Sequence, residues 1–164
     1  MLQKQKVEVK VFPMEDRYVN DVLAVYNKIR RNKAELARPG RATIDKDVLT
    51  YEEIVSTGLG SRMDLSFIAR IDDKVVGFVW GRLAYVGIPV QLVGFIHMII
   101  VDPDLQLSGI ATDLVDNVAK RCKEKGVDTI RTAVAESDWE MSNFFHEVGF
   151  ENSGLLIYTR TVLD

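Results

Sequence analysis

The stretch Ile99-Ile100-Val101-Asp102-Pro103-Asp104-Leu105-Gln106-Leu107-Ser108-Gly109-Ile110-Ala111 decides how this chain is read. A β-branched apolar run stops at Asp-Pro-Asp. Gly109 then opens an amphipathic run in which Ile110, Leu114, Val118 and Cys122 share one helix face. Gly126 ends that helix, and Lys120, Arg121, Lys123 and Lys125 suit the negative end of its dipole. The first turn of such a helix carries unpartnered N–H groups and the positive dipole end. Ser108, Gly109 and Ala111 are small enough to let a ligand reach that backbone, so the spot suits a phosphate or pyrophosphate. It is not a P-loop, because the lysine of GxxxxGK[ST] is absent, nor a dinucleotide fingerprint, because the loop holds a single glycine.

Downstream, Thr129 to Val134 reads as a strand. Ser137-x-x-Glu140 has capping-box spacing and predicts a helix carrying Met141, Phe144, Phe145 and Val148, with Gly149 at its C′ position. Leu155 to Leu163 is strand-like. Upstream, strands are predicted from Leu65 to Ile71, from Val75 to Leu83 and from Val90 to Val101, the first two joined by Asp72-Asp73-Lys74. The alternating Val7-Glu8-Val9-Lys10-Val11 gives a first strand. Val19, Val22, Leu23, Tyr26 and Ile29 place a helix from Glu15 to Arg31. A basic connector follows (Arg30, Arg31, Lys33, Arg38, Arg41), and Thr50-Tyr51-Glu52-Glu53 opens a short helix closed by Gly58 and Gly60. The order β-α-α-β-β-β-α-β-α-β predicts an α/β (α+β) protein with a mixed sheet between helices.

Composition narrows the function. The 164 residues suit a single domain, residues 1–164, and 47% apolar content excludes a disordered chain. Lys and Arg number 21 against 24 Asp and Glu, a net charge of −3 that argues against a nucleic-acid partner. Cys122 is the single cysteine, so no internal disulfide can form, and with only His97 and His146 no metal is expected. No signal-peptide core opens the chain. Leu83 to Val101 is long enough to imitate a membrane span, but Val86-Gly87-Ile88-Pro89 interrupts it with turn residues. A buried hairpin accounts for it, and a soluble, cytoplasmic protein with no membrane partner is expected.

Gln106-x-x-Gly109-x-Ala111 resembles the Q/R-x-x-G-x-G/A loop with which the GNAT superfamily of acyl-CoA-dependent N-acetyltransferases holds the coenzyme pyrophosphate. Val101-Asp102-Pro103 before it and Val148-Gly149-Phe150 after it are also similar to that family, over about Val93 to Phe150. The resemblance implies a mixed, mostly antiparallel sheet flanked by helices on both faces, and transfer of an acetyl group from acetyl-CoA to a primary amine. It also implies that Ile99, Ile100 and Val101 offer backbone groups to the pantetheine arm. Gln106, Leu107, Ser108, Gly109, Ile110, Ala111 and Thr112 would hold the pyrophosphate, and Asp138 stands where many members contact the coenzyme through Asn.

The implied reaction needs a base for the amine proton, N–H donors for the carbonyl oxygen and, in many members, an acid for the thiolate. Two positions depart from the family. Phe145, beside the coenzyme, stands where a proton-donating tyrosine is usual, and Ala133 stands where some bacterial protein acetyltransferases carry a glutamate base. His97 matches the second of two strand histidines in serotonin N-acetyltransferase and is the candidate catalytic base. His146 reads as a surface residue and Cys122 as core. Trp80, Tyr85 and Trp139 are candidates for an acceptor pocket, and the basic connector for recognising an acidic acceptor. A non-catalytic acyl-CoA-binding module is the alternative, favoured by Phe145 and Ala133. The short tail after Phe150 leaves a sheet edge that invites pairing, so a homodimer through Leu155 to Leu163 is expected.

Overall fold

A computed structural model describes residues 8–36, 65–106 and 109–162. Strand β1 (Val9–Pro13) leads through a 3-10 turn (Asp16–Tyr18) into α1 (Val19–Leu36). Strands β2 (Phe67–Ile71), β3 (Lys74–Val86) and β4 (Gln91–Val101) form a meander. A second 3-10 turn (Pro103–Leu105) precedes α2 (Ile110–Glu124), then β5 (Ile130–Thr132) and α3 (Trp139–Glu147). The five strands stand in chain order, antiparallel except for the parallel β4–β5 pair. The expected short helix over residues 50–60 and the far half of the basic connector lie outside the described residues.

Each face of the sheet buries one helix stripe. Tyr18 of the first 3-10 turn and Val22 and Val25 of α1 pack on Ile68, Val75, Phe78 and Ile100. On the opposite face, Ile110, Leu114, Val115, Val118 and Cys122 of α2 pack on Val76, Val79, Ile96 and Ile99, joined by Phe145 of α3. Each of these stripes follows the helical period read from the sequence. The α2 contact is close: a Cβ on Gly94 would lie 2.5 Å from Cys122 Sγ, so only glycine lets the helix settle there. Burial pushes the Cys122 thiol pKa up, as expected for a core cysteine. The fold is the mixed, mostly antiparallel sheet with helices on both faces that the sequence implied.

Three local expectations need correction. The cap of α3 is Asp138, not Ser137: its carboxylate accepts from the Met141 N–H at 3.1 Å, which places the helix start one residue later. The strand expected over Thr129–Val134 shrinks to Ile130–Thr132, the three residues that pair with Gly94, Phe95 and Ile96 of β4. The strand expected from Leu155 to Leu163 is absent through residue 162: the tail has no strand partner among the described residues, and its apolar side chains face solvent. Leu83 to Val101 is the β3–β4 hairpin, and no described helix is long and apolar enough to cross a membrane.

Candidate active site at the open edge of the fourth strand

Trp80 pairs with Met98 and Gly81 with Ile96, so His97 is an extra residue bulged out of the β3–β4 ladder. The β3 side is locked by Ser66, whose hydroxyl bonds both the N–H and the C=O of Gly81 at 3.1 Å. A side chain at position 81 would meet Leu65 O at 2.7 Å, which explains the glycine. On its other edge, β4 pairs with β5 only at Gly94, Phe95 and Ile96. From His97 to Val101 that edge has no strand partner among the described residues. Unpaired backbone groups are obligatory hydrogen-bonders, so this edge is ready to take an extended ligand. The side chains of Ile99 and Ile100 are buried in opposite core clusters, leaving main chain as what they can offer.

The edge runs directly into the loop before α2. Gly109 adopts φ 85° as the N-cap of α2, and a Cβ built on it has nothing within 4 Å among the described residues. The backbone there is left-handed, which disfavours other residues, and no described residue crowds it. Ile110 is buried beneath it, while Ala111 and Thr112 are half-buried in the first turn. Gln106 is exposed, and Leu107 and Ser108 lie outside the described residues.

An ion triad fixes where the loop begins. Lys28 Nζ of α1 lies 2.7 Å from both Asp102 Oδ1 and Asp104 Oδ2, and Asp102 also accepts from the Asp104 N–H at 3.0 Å. Burial alone would raise the Asp102 pKa. The Lys28 ammonium and that backbone N–H outweigh it and hold the carboxyl below its ordinary range.

His97 sits in a compact cluster on the α1 side. Arg82 Nε donates to His97 Nε2 at 2.8 Å, and the imidazole stacks on Trp80 at 4.4 Å and leans on Phe95 at 4.9 Å. Burial, reinforced by the Arg82 charge, pushes its pKa down to about 4. The ring is therefore neutral at physiological pH, with its proton on Nδ1 while Nε2 accepts from Arg82. A folded pKa below the unfolded value of about 6.5 makes this histidine stabilising above pH ~6.5, and that stability drains away as pH falls toward 4. Discounted for partial solvent exposure, the loss is about 2 kcal/mol. Denaturant titrations at the two pH values should show it in the wild type and not in His97→Gln; equal losses in both would assign the acid sensitivity elsewhere.

The remaining candidates do not converge. Phe145 is 5% exposed, in edge contact with Phe144 and Phe150 within the core. Asp138 spends its carboxylate on the α3 cap. Tyr85 and Trp139 are exposed on separate elements, and only Trp80 joins the His97 cluster. His146 Nδ1 lies 2.9 Å from Ser142 O on the exposed side of α3, as read from the sequence. Arg82, Gly81 and Ser66 were not singled out in the sequence. The available signal was an arginine inside an otherwise apolar strand.

A family model described as the acetyltransferase (GNAT) family matches residues 32–150. The chain belongs to that family and is an acyltransferase of its class. No curated protein matches the chain. Among solved structures, PH1933 from Pyrococcus horikoshii OT3 superimposes with a TM-score of 0.70 at 23% identity, over 91% of this chain and 92% of that one. The aminoglycoside 6'-N-acetyltransferase AAC(6')-Ih from Acinetobacter baumannii gives 0.67 at 17%, over 96% and 100%. A ribosomal-protein-alanine N-acetyltransferase from Brucella melitensis gives 0.65 at 19%, over 94% and 100%. At these identities the likeness is one of fold.

Proposed function

We propose that residues 1–164 form one domain that transfers an acetyl group from acetyl-CoA to a primary amine. The observation that carries this reading is the continuity of the open β4 edge with the left-handed, unobstructed Gly109 at the start of α2. A long ligand with an amide-bearing arm and a pyrophosphate has both features to meet. In this reading Ile99, Ile100 and Val101 bond the arm through main chain, and Gln106 to Thr112 cradle the pyrophosphate. Asp138 and Phe145 border the coenzyme by setting the start and the packing of α3. When bound, the thioester supplies an activated acyl group. The chain aligns the amine, offers N–H donors along β4 and excludes water with Trp80 and Phe95. His97, at the bulge, is the candidate base for the amine proton, and its Nε2 has to exchange the Arg82 hydrogen bond for the amine or a water to act as one. Because the ring is already neutral, the pH dependence of kcat/KM should follow the amine.

The burial of Phe145 keeps a second reading in view, a binding module that retains the coenzyme cradle without chemistry. Free-thiol release from acetyl-CoA with a panel of amines separates the two. Release that depends on the amine supports the enzyme; coenzyme binding without release supports the module. The family and its fold would stand in both cases.

We also propose a cytoplasmic homodimer. Ile157 and Tyr158 are 76% and 88% exposed, and Leu156 and Val162 beside them are exposed too, on a tail without secondary structure. Such a run of β-prone apolar residues suits pairing with a second copy. Light scattering at high micromolar concentration should give twice the 18.5 kDa chain mass, falling to one chain mass in Leu156→Asp/Ile157→Asp. A monomeric wild type rejects the dimer.

A further inference from the structure

Most described cations on or beside the sheet have a carboxylate partner; Arg131 has none among the described residues but spends Nη1 on the Val86 carbonyl at 3.0 Å. Lys28 pairs with Asp102 and Asp104, Arg70 with Asp73, Arg121 with Glu124. Arg82 is half-buried on β3 and bonds a neutral imidazole through Nε, and among the described residues no carboxylate lies within ion-pairing distance of it. A guanidinium has five N–H donors in a rigid fork. One is spent on His97, which fixes the plane, and the four on the two Nη atoms have no partner among the described residues. Trp80, stacked on His97, and Phe95, which pairs with Arg82 across the ladder, supply apolar walls beside the fork. Holding a partly desolvated positive charge without an anion is costly, and that cost is recovered when an anion arrives.

We propose that Arg82 recognises the acceptor, and that the amine this protein acetylates carries a carboxylate, as in an amino acid or a peptide with a free C-terminus. This rests on the acetyltransferase reading above and names its substrate class. A planar acid matches the Nη pair, whereas a purely cationic acceptor such as a polyamine is repelled by the same charge. Arg82 is also well placed for that role. It touches the bulge residue of β4, one strand from the open edge, so an acceptor held by its acid is near the strand that meets the thioester arm. Binding the acid also cancels the Arg82 charge felt by His97. The imidazole then becomes more basic when the correct substrate is in place.

The test uses the full chain and acetyl-CoA, with the common L-amino acids, their C-terminal amides and spermidine as acceptors. The wild type should favour the best acid over its own amide by roughly ten- to a hundredfold in kcat/KM, the range of a charge-assisted hydrogen-bond pair. Arg82→Gln should bring that ratio near unity, and Arg82→Lys should restore part of it. With only two histidines in the chain, NMR can follow His97 directly, and its pKa should rise when the favoured acid is added. Preference for the amide or for spermidine, or an acid preference that survives Arg82→Gln, overturns the assignment. Free-thiol release from acetyl-CoA across the whole acceptor panel tells the two failures apart. No amine-dependent release with any acceptor removes the acetyltransferase reading and this inference with it, while release without acid preference removes this inference alone.

Discussion

Replacing Gly109 by valine is expected to abolish the stabilisation that acetyl-CoA confers on the wild-type fold. A ligand that binds only the folded state adds RT ln(1 + [L]/Kd), about 2.7 kcal/mol at roughly a hundredfold excess over Kd. No described residue lies beside Gly109 Cα, so the valine side chain is expected to have room in the free protein and none once a pyrophosphate lies against the backbone. The left-handed φ of 85° adds about 1–2 kcal/mol of strain for a residue with a Cβ, so the variant starts from a lower melting temperature. Each variant is therefore compared with itself, with and without coenzyme. Gly109→Ala carries a similar strain with less bulk and should keep part of the shift. Equal shifts in wild type and Gly109→Val reject the cradle.

The second large effect is on stability. Asp102 is 2% exposed and answers to Lys28, Lys74 and the Asp104 N–H at once. Asp102→Ala leaves that N–H and one side of Lys28 without a partner. Breaking a buried pair costs about 3–5 kcal/mol; with Lys28 partly solvated, about 3 kcal/mol is expected. Asp104 reaches the same ammonium from an exposed position, and exposed pairs are worth about 0–1 kcal/mol, so Asp104→Ala should be nearly silent. Chemical denaturation measures both, and comparable losses would show that the buried carboxylate has no special weight. The sign with pH follows from the lowered Asp102 pKa. Its contribution is present above the unfolded value of about 3.9 and lost as pH falls through the folded one, below the window in which His97 acts.

How legible these features were depends on how local their causes are. The β4–loop–α2 segment was readable because each cue is short-range: β-branched residues, Asp-Pro-Asp, a glycine, then Ile110, Leu114, Val118 and Cys122 at helical spacing. The ends of elements were less readable where two local cues compete. Ser137 and Asp138 can both cap α3, and the Glu140 three residues after Ser137 favoured the wrong one; the Met141 N–H chose Asp138. The tail failed for a non-local reason, since Leu155 to Leu163 has strand composition but strands need partners. The pairing of Arg82 with His97 was likewise invisible, because it depends on a bulge that puts position 97 where residues on the next strand can reach it.

A sheet whose strands stand in chain order also has a direction in time. Only residues 87–90 separate β3 from β4, whereas β1 must wait for everything from Met14 to Ser66 to be looped out before it can meet β2. Loop-closure entropy makes the longer connection more expensive by on the order of 2 kcal/mol. The β3–β4 hairpin is therefore expected to be formed in the transition state for folding, with β1 added on the downhill side. Val79→Ala and Val93→Ala should slow refolding, while Val11→Ala should mainly hasten unfolding. The bulge that exposes the candidate site would then be in place before the sheet is complete.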